Sequence, residues 1–196
     1  MILAISLLIS YLIGSISCSI LIARAMNLPD PRTLGSGNPG ATNMLRTGSK
    51  RAAAITLLGD LLKGLIPLLV ARWLNFDIDA LCFIGLAAIM GHMYPIYYRF
   101  AGGKGVATTL GVLIGVAWQL ALIWIALWVL TAKLSGYSSL AALIATAALP
   151  IFSYLLGLPS IVTVTCSIIA IFVIWRHRSN IQNILAGKES KINNKS

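Results

Sequence analysis

The sequence predicts an all-α integral membrane protein of about seven transmembrane helices, with the N-terminus outside and the C-terminus in the cytoplasm. Three observations carry this. Of the 196 residues, 58% are hydrophobic and only 10% are charged, with a mean hydropathy of +0.89, whereas soluble domains carry about 25% charged residues. The apolar residues gather in runs close to the roughly 20 residues a helix needs to cross the hydrocarbon core. The net charge of +10 sits in the gaps between those runs, where membrane proteins place cytoplasmic loop charge. Because the basic residues form no amphipathic face, nucleic acid is not expected as a partner.

The runs fall at 2–25, 52–74, 80–98, 105–134, 138–156 and 160–175. The first lacks a basic leading segment and is longer than the apolar stretch of a signal peptide, so it reads as a retained helix. The loop 24–51 holds five basic residues and one acid, which makes it cytoplasmic. The run 52–74 then leads outward to Asp77 and Asp79, and 80–98 returns to Arg99 and Lys104.

The run 105–134 is too long for one span. As a single helix it would reach about 45 Å at 1.5 Å per residue, against a core of about 30 Å. A hairpin turning near Trp118-Gln119, with two short halves, puts Lys133 and the basic C-terminal segment on the cytoplasmic side. Seven spans therefore satisfy the charge rule and six do not. Residues 1–196 read as one catalytic domain, with 190–196 a flexible tail. Cys18, Cys82 and Cys166 lie inside apolar runs and show neither metal spacing nor a disulfide framework. The acids are too few and scattered for a metal site, and no cofactor is implied. No internal repeat points to an inverted-repeat transporter.

Three polar segments share the cytoplasmic face. In the first, GSGNPGATN at 35–43, glycine and asparagine tolerate positive φ, so backbone N–H groups can converge on an anion. Ser36, Thr42 and Asn43 add donors, and Arg46 offers a two-pronged phosphate contact. A plain loop touching lipid headgroups is the alternative. In the second, Gly102, Gly103, Lys104 and Gly105 precede a helix near Val106, an arrangement that suits phosphate. It is not a Walker A loop, since Tyr98 and Gly105 stand at its first and last required positions. His92 reads as a structural histidine. In the third, Arg176, His177, Arg178 and Asn180 meet the end of the last run, and Glu189 is the chain's sole glutamate. His177 can act near neutral pH, while Glu189 can pair with an arginine and hold the tail. Asp60 and Lys63, at i, i+3 inside a span, form either an ion pair or an extension of the phosphate site.

SGNPGATN at 36–43, GHxxPxxxxFxGGKGVAT at 91–108 and RHRxNIxxxLxGxE at 176–189 closely resemble the three signature motifs of the bacterial membrane glycerol-3-phosphate acyltransferases that use acyl phosphate. The likeness spans nearly the whole chain, including DxxKG at 60–64. It implies transfer of a fatty acyl group from acyl phosphate to the 1-hydroxyl of sn-glycerol 3-phosphate, giving lysophosphatidate and phosphate, in the first acylation of phospholipid synthesis. It implies seven spans in the inner membrane and a site facing the cytoplasm. A soluble enzyme that makes acyl phosphate is the implied functional neighbour.

Carried over residue by residue, the resemblance assigns glycerol 3-phosphate to Ser36, Gly37, Asn38, Gly40, Thr42, Asn43 and Arg46. It assigns acyl phosphate to Gly102, Gly103, Lys104, Gly105 and Thr108, with Lys63 below. Ser36, Arg46, His177 and Asn180 are the expected catalytic set, supported by Asp60, His92 and Glu189. No His-x4-Asp motif is present: Tyr97 follows His92 and Gln182 follows His177 at that spacing. A substrate phosphate oxygen is the expected proton acceptor, and a covalent Ser36 intermediate is less attractive because the donor is already activated. The rivals are a transporter for a phosphorylated molecule, which needs access from both faces, and an accessory subunit that only holds anionic lipid.

Overall fold

The computed structural model describes residues 1–46 and 49–192, and these are helical with no strand among them. Eleven α-helices follow in order: α1 (Ile2–Gly14), α2 (Cys18–Ala25), α3 (Ala41–Arg46), α4 (Lys50–Trp73), α5 (Ile78–Met93), α6 (Val106–Val116), α7 (Trp118–Ser135), α8 (Ser138–Ala147), α9 (Leu149–Leu155), α10 (Ser160–Arg176) and α11 (Arg178–Leu185). Residues 193–196 of the expected tail lie outside the described residues. Residues 190–192 are held: Arg46 Nη2 donates to the Ser190 carbonyl at 2.8 Å and the Ile192 amide to Gly136 at 2.9 Å.

Among the described residues, four helical stretches are long and apolar enough to cross a membrane, and up to six if the bent pairs α1–α2 and α10–α11 each count as one span. The pairs bend by 44° and 60°. The first bend exposes the carbonyl of Ile16, and Lys63 Nζ from α4 donates to it at 2.7 Å. A buried amine thus satisfies the backbone group that the broken helix leaves open.

The run 105–134 breaks at Ala117, whose extended backbone (φ −152°, ψ 92°) ends α6. Two short halves were expected, but only α6 is short. It has 11 residues, while α7 continues for 18 to Ser135. The end of α6 is held from α4. Arg72 Nε donates to Gly115 O at 2.7 Å and Nη2 to Val116 O at 3.2 Å. These carbonyls would otherwise need the next helical turn or water, so the arginine stabilises an early stop.

Helix starts follow local chemistry. Ser49 caps α4 through the Ala52 amide, and Asp77 caps α5 by accepting from Ala80 N at 2.9 Å. The core draws on Leu68, Ile84, Leu113, Leu120, Leu149 and Ile169, all nearly inaccessible. Large apolar side chains such as Leu58, Leu69, Leu122, Ile151 and Ile171 point outward, as expected where lipid is the solvent. Trp73 and Trp118 are exposed at one end of the bundle, the placement of an interfacial aromatic belt. The three polar segments gather at the other end.

Candidate functional site

The first polar segment is shaped by Asn43. Its amide is buried, accepts from the Ser36 N–H at 3.0 Å and the Ser36 hydroxyl at 3.3 Å, and donates to Pro31 O at 2.7 Å and Leu34 O at 3.0 Å. One side chain folds the loop around itself. Gly35 and Gly37 take φ of +56° and +68° within that turn, where a side chain would be strained. The chain then enters α3, a short helix that hydropathy does not reveal, and α3 carries Arg46 to the site. The Ser36 hydroxyl thus donates to an amide oxygen, which is not a base.

The second segment is held from two sides. Arg176 Nε donates to Gly103 O at 3.0 Å and Nη2 to Gly102 O at 2.6 Å, with the guanidinium 5.4 Å above the Tyr94 ring. The Gly103 amide donates to the His92 carbonyl at 3.1 Å. Both glycines are required by close approach: a Cβ on Gly103 would meet the His92 imidazole, and one on Gly102 the His92 carbonyl and Pro95. The turn delivers Lys104 and the free amides at the start of α6 to the site.

Lys104 donates to Asn180 Oδ1, Asn180 Nδ2 donates to Glu189 Oε1 at 2.8 Å, and Ser139 Oγ donates to the same oxygen at 2.7 Å. Burial pushes the Lys104 ammonium down to about 8; Glu189 opposes that shift, while Arg46 and Arg176 add to it. His177, at the junction of α10 and α11, is 2% exposed and has Nδ1 2.8 Å from the Val173 carbonyl. A carbonyl only accepts, so Nδ1 carries the hydrogen and the neutral ring keeps its lone pair on Nε2.

Two cavities meet here. A largely apolar one of about 370 Å³ runs from the polar loops past Leu57, Leu110 and Trp128 into the bundle. A polar one of about 780 Å³ opens beside Gly37, Gly102, Arg176 and Arg178. Ser36, Asn38, Arg46, Lys104, Asn180 and Glu189 line both. Gly40, Thr42, Asn43, Asp60, His92, Gly105 and His177 line the apolar cavity alone.

Gly103, Thr108 and Lys63 line neither cavity. Thr108 is fully buried against Gly64, and Lys63 pairs with Asp60 at 2.9 Å behind the wall. His92 Nδ1 lies 3.7 Å from the same Asp60 oxygen. Sequence reasoning missed Arg176 as the clamp on the glycine turn, Ser139 as a partner of Glu189, and the lining tryptophans. Arg176 had a detectable signal in its motif, but its partners lie 73 and 74 residues away. Ser139 and the tryptophans carry no local mark. No group of three metal-ligating side chains gathers among the described residues.

The family model for glycerol-3-phosphate acyltransferase matches residues 4–187. A glycerol-3-phosphate acyltransferase of Coxiella burnetii (strain CbuG_Q212) is 49% identical over 188 residues, covering 96% of this chain and 97% of the relative. One from Thioalkalivibrio sulfidiphilus is 50% identical over 186 residues, covering 95% and 92%. The crystal structure of PlsY (YgiH), an integral membrane glycerol 3-phosphate acyltransferase, superposes in its glycerol 3-phosphate form with a TM-score of 0.92 at 39% identity, covering 96% of this chain and 94% of that one. Its lysophosphatidic acid form superposes with a TM-score of 0.90 at 38% identity, with the same coverage.

Proposed function

Since the chain belongs to the glycerol-3-phosphate acyltransferase family, we propose that it transfers a fatty acyl group from acyl phosphate to the 1-hydroxyl of sn-glycerol 3-phosphate. The products are lysophosphatidate and inorganic phosphate, and the site faces the cytoplasm from a bacterial inner membrane. One observation carries this reading: Ser36, Arg46, Lys104 and Asn180 form a wall common to an apolar and a polar cavity. A donor with a fatty tail and a phosphate head fits across such a junction, and a soluble phosphorylated acceptor fits the polar side. A soluble acyl-phosphate-forming enzyme would supply the donor.

In this reading the 36–43 loop and Arg46 hold glycerol 3-phosphate, while Lys104 and the turn 102–105 hold the acyl phosphate head. Lys63 and Thr108 lie behind the wall, Lys63 on Asp60 and the Ile16 carbonyl and Thr108 against Gly64, so neither meets phosphate directly. The acceptor hydroxyl attacks the acyl carbonyl, and the bond to phosphate breaks. A substrate phosphate oxygen takes the hydroxyl proton, so no protein base is needed, and the direct attack needs no protein nucleophile. Lys104 and Arg46 stabilise the charge that develops on the leaving oxygen, the kind of preorganised stabilisation that supplies much of an enzyme's rate. Holding the reactants in register supplies more. His177 presents Nε2 as an orienting acceptor, and Asn180 keeps Lys104 in place.

The test is turnover of acyl phosphate with labelled glycerol 3-phosphate by purified, folded protein in detergent. Labelled lysophosphatidate is expected, and acyl-CoA in place of acyl phosphate should give none. Folded protein that yields no labelled product would overturn the enzyme reading, and equal activity with acyl-CoA would overturn the donor.

A further inference from the structure

The apolar cavity has a built lower end. α7 runs toward the polar end of the bundle and α8 leaves it, so depth increases with falling number on α7 and rising number on α8. The deepest lining residue is Trp124 on α7 and Ala142 on α8. One helical turn below Ala142, about 6 Å on, Thr146 Oγ1 accepts a hydrogen bond from Trp124 Nε1 at 3.1 Å. The indole is 4% exposed and Thr146 fully buried. A buried indole N–H needs a partner, and Thr146 fixes the ring at the level where the cavity stops. Trp128, one turn above on the same face, forms the side wall rather than the end.

We propose that the Trp124–Thr146 pair is the floor of the acyl groove and sets the length of acyl chain accepted, with Ala142 giving the width just above it. This rests on the acyl-phosphate reading. A chain that reaches the indole has its methylenes buried between α7 and α8. A longer one must double back or leave through the flank, where Leu57 and Ile125 are 49% and 39% exposed. Those extra methylenes gain less than the roughly fourfold in affinity that each fully buried one contributes.

The experiment compares wild type, Trp124→Ala, Ala142→Leu and Thr146→Val against decanoyl, lauroyl, myristoyl, palmitoyl and stearoyl phosphates, reading kcat/KM. Thermal protection by lysophosphatidates of the same chains is measured in parallel. Trp124→Ala should move the optimum to longer chains and Ala142→Leu to shorter ones. Thr146→Val keeps the volume but frees the ring, and should flatten the preference. Should Trp124→Ala fail to fold, Ala142→Leu and Thr146→Val decide. Unchanged chain-length profiles in the folded variants, in both readouts, would overturn the floor. No turnover of any acyl phosphate by wild type, with the chain-length shifts still present in lysophosphatidate protection, would overturn the donor reading and leave the floor standing.

Discussion

Asn180 receives the ammonium of Lys104 on its amide oxygen and presents the other half of the same amide to Glu189, 2.8 Å away. Only a group with both a donor and an acceptor can stand between a cation and a carboxylate in this way. Asn180→Asp keeps an acceptor for Lys104 but sets a second carboxylate against Glu189. Losing a hydrogen bond to a charged group and leaving like charges in contact is expected to lower kcat/KM by about 10- to 100-fold. Adding Glu189→Gln restores a donor and should recover much of the loss. A double-mutant cycle with strictly additive effects would show that the two side chains are not coupled.

The same cluster sets a pH dependence. Lys104 sits in a buried place that pushes its ammonium down to about 8. As pH rises through that value, the empty site loses the positive charge that would meet phosphate. Bound phosphate favours the ammonium and holds the proton on, so the effect belongs to binding. KM should climb above pH 8 while kcat changes little. Lys104→Arg stays charged across the range, and its KM should lack this climb. An identical climb in Lys104→Arg would assign it to another group.

The glycine turn predicts a selective rescue. Gly103→Ala directs its new methyl at the His92 ring, whereas Gly102→Ala directs it at the His92 carbonyl and Pro95. A side chain can be removed and a carbonyl cannot. Each alanine alone should lower kcat/KM by about tenfold or more, in the range of one overpacked contact of 1–3 kcal/mol. Combining His92→Ala with Gly103→Ala should restore part of the activity, and combining it with Gly102→Ala should not. Equal rescue of both would mean that the turn is limited by something other than these contacts.

These residues also indicate what the sequence could disclose. Helices such as Lys50–Trp73 and Ser160–Arg176 were legible because lipid demands continuous apolar runs. The break near Trp118 was legible from length and charge alone. The bend at Ile16 was not, because it depends on a distant side chain, Lys63, satisfying a carbonyl, and the arginine that holds the end of α6, Arg72, was equally hidden. In the site, the motifs marked Ser36, Lys104 and Asn180 as polar residues kept among apolar ones. The roles of Arg176 and Ser139 rest on partners dozens of residues away, and no local pattern encodes them. Asn43 was singled out as a donor to substrate, whereas its amide makes four bonds within its own loop.

The buried pair Asp60–Lys63 predicts an inverted order of stabilities. The two groups are 2.9 Å apart, with side chains 4% and 6% exposed, and Lys63 also donates to Ile16 O. Lys63→Met removes the partner of a buried carboxylate, an arrangement that costs about 3–5 kcal/mol. Asp60→Asn together with Lys63→Met removes both charges, so the double variant should be more stable than the single one despite carrying more changes. It should still fall below wild type, because the Ile16 carbonyl has lost its donor, a deficit of about 1–3 kcal/mol. Thermal unfolding in detergent gives the order directly. A double variant that melts below Lys63→Met would show that Asp60 does not depend on Lys63, and that the carboxylate is stabilised through His92 or the cavity instead.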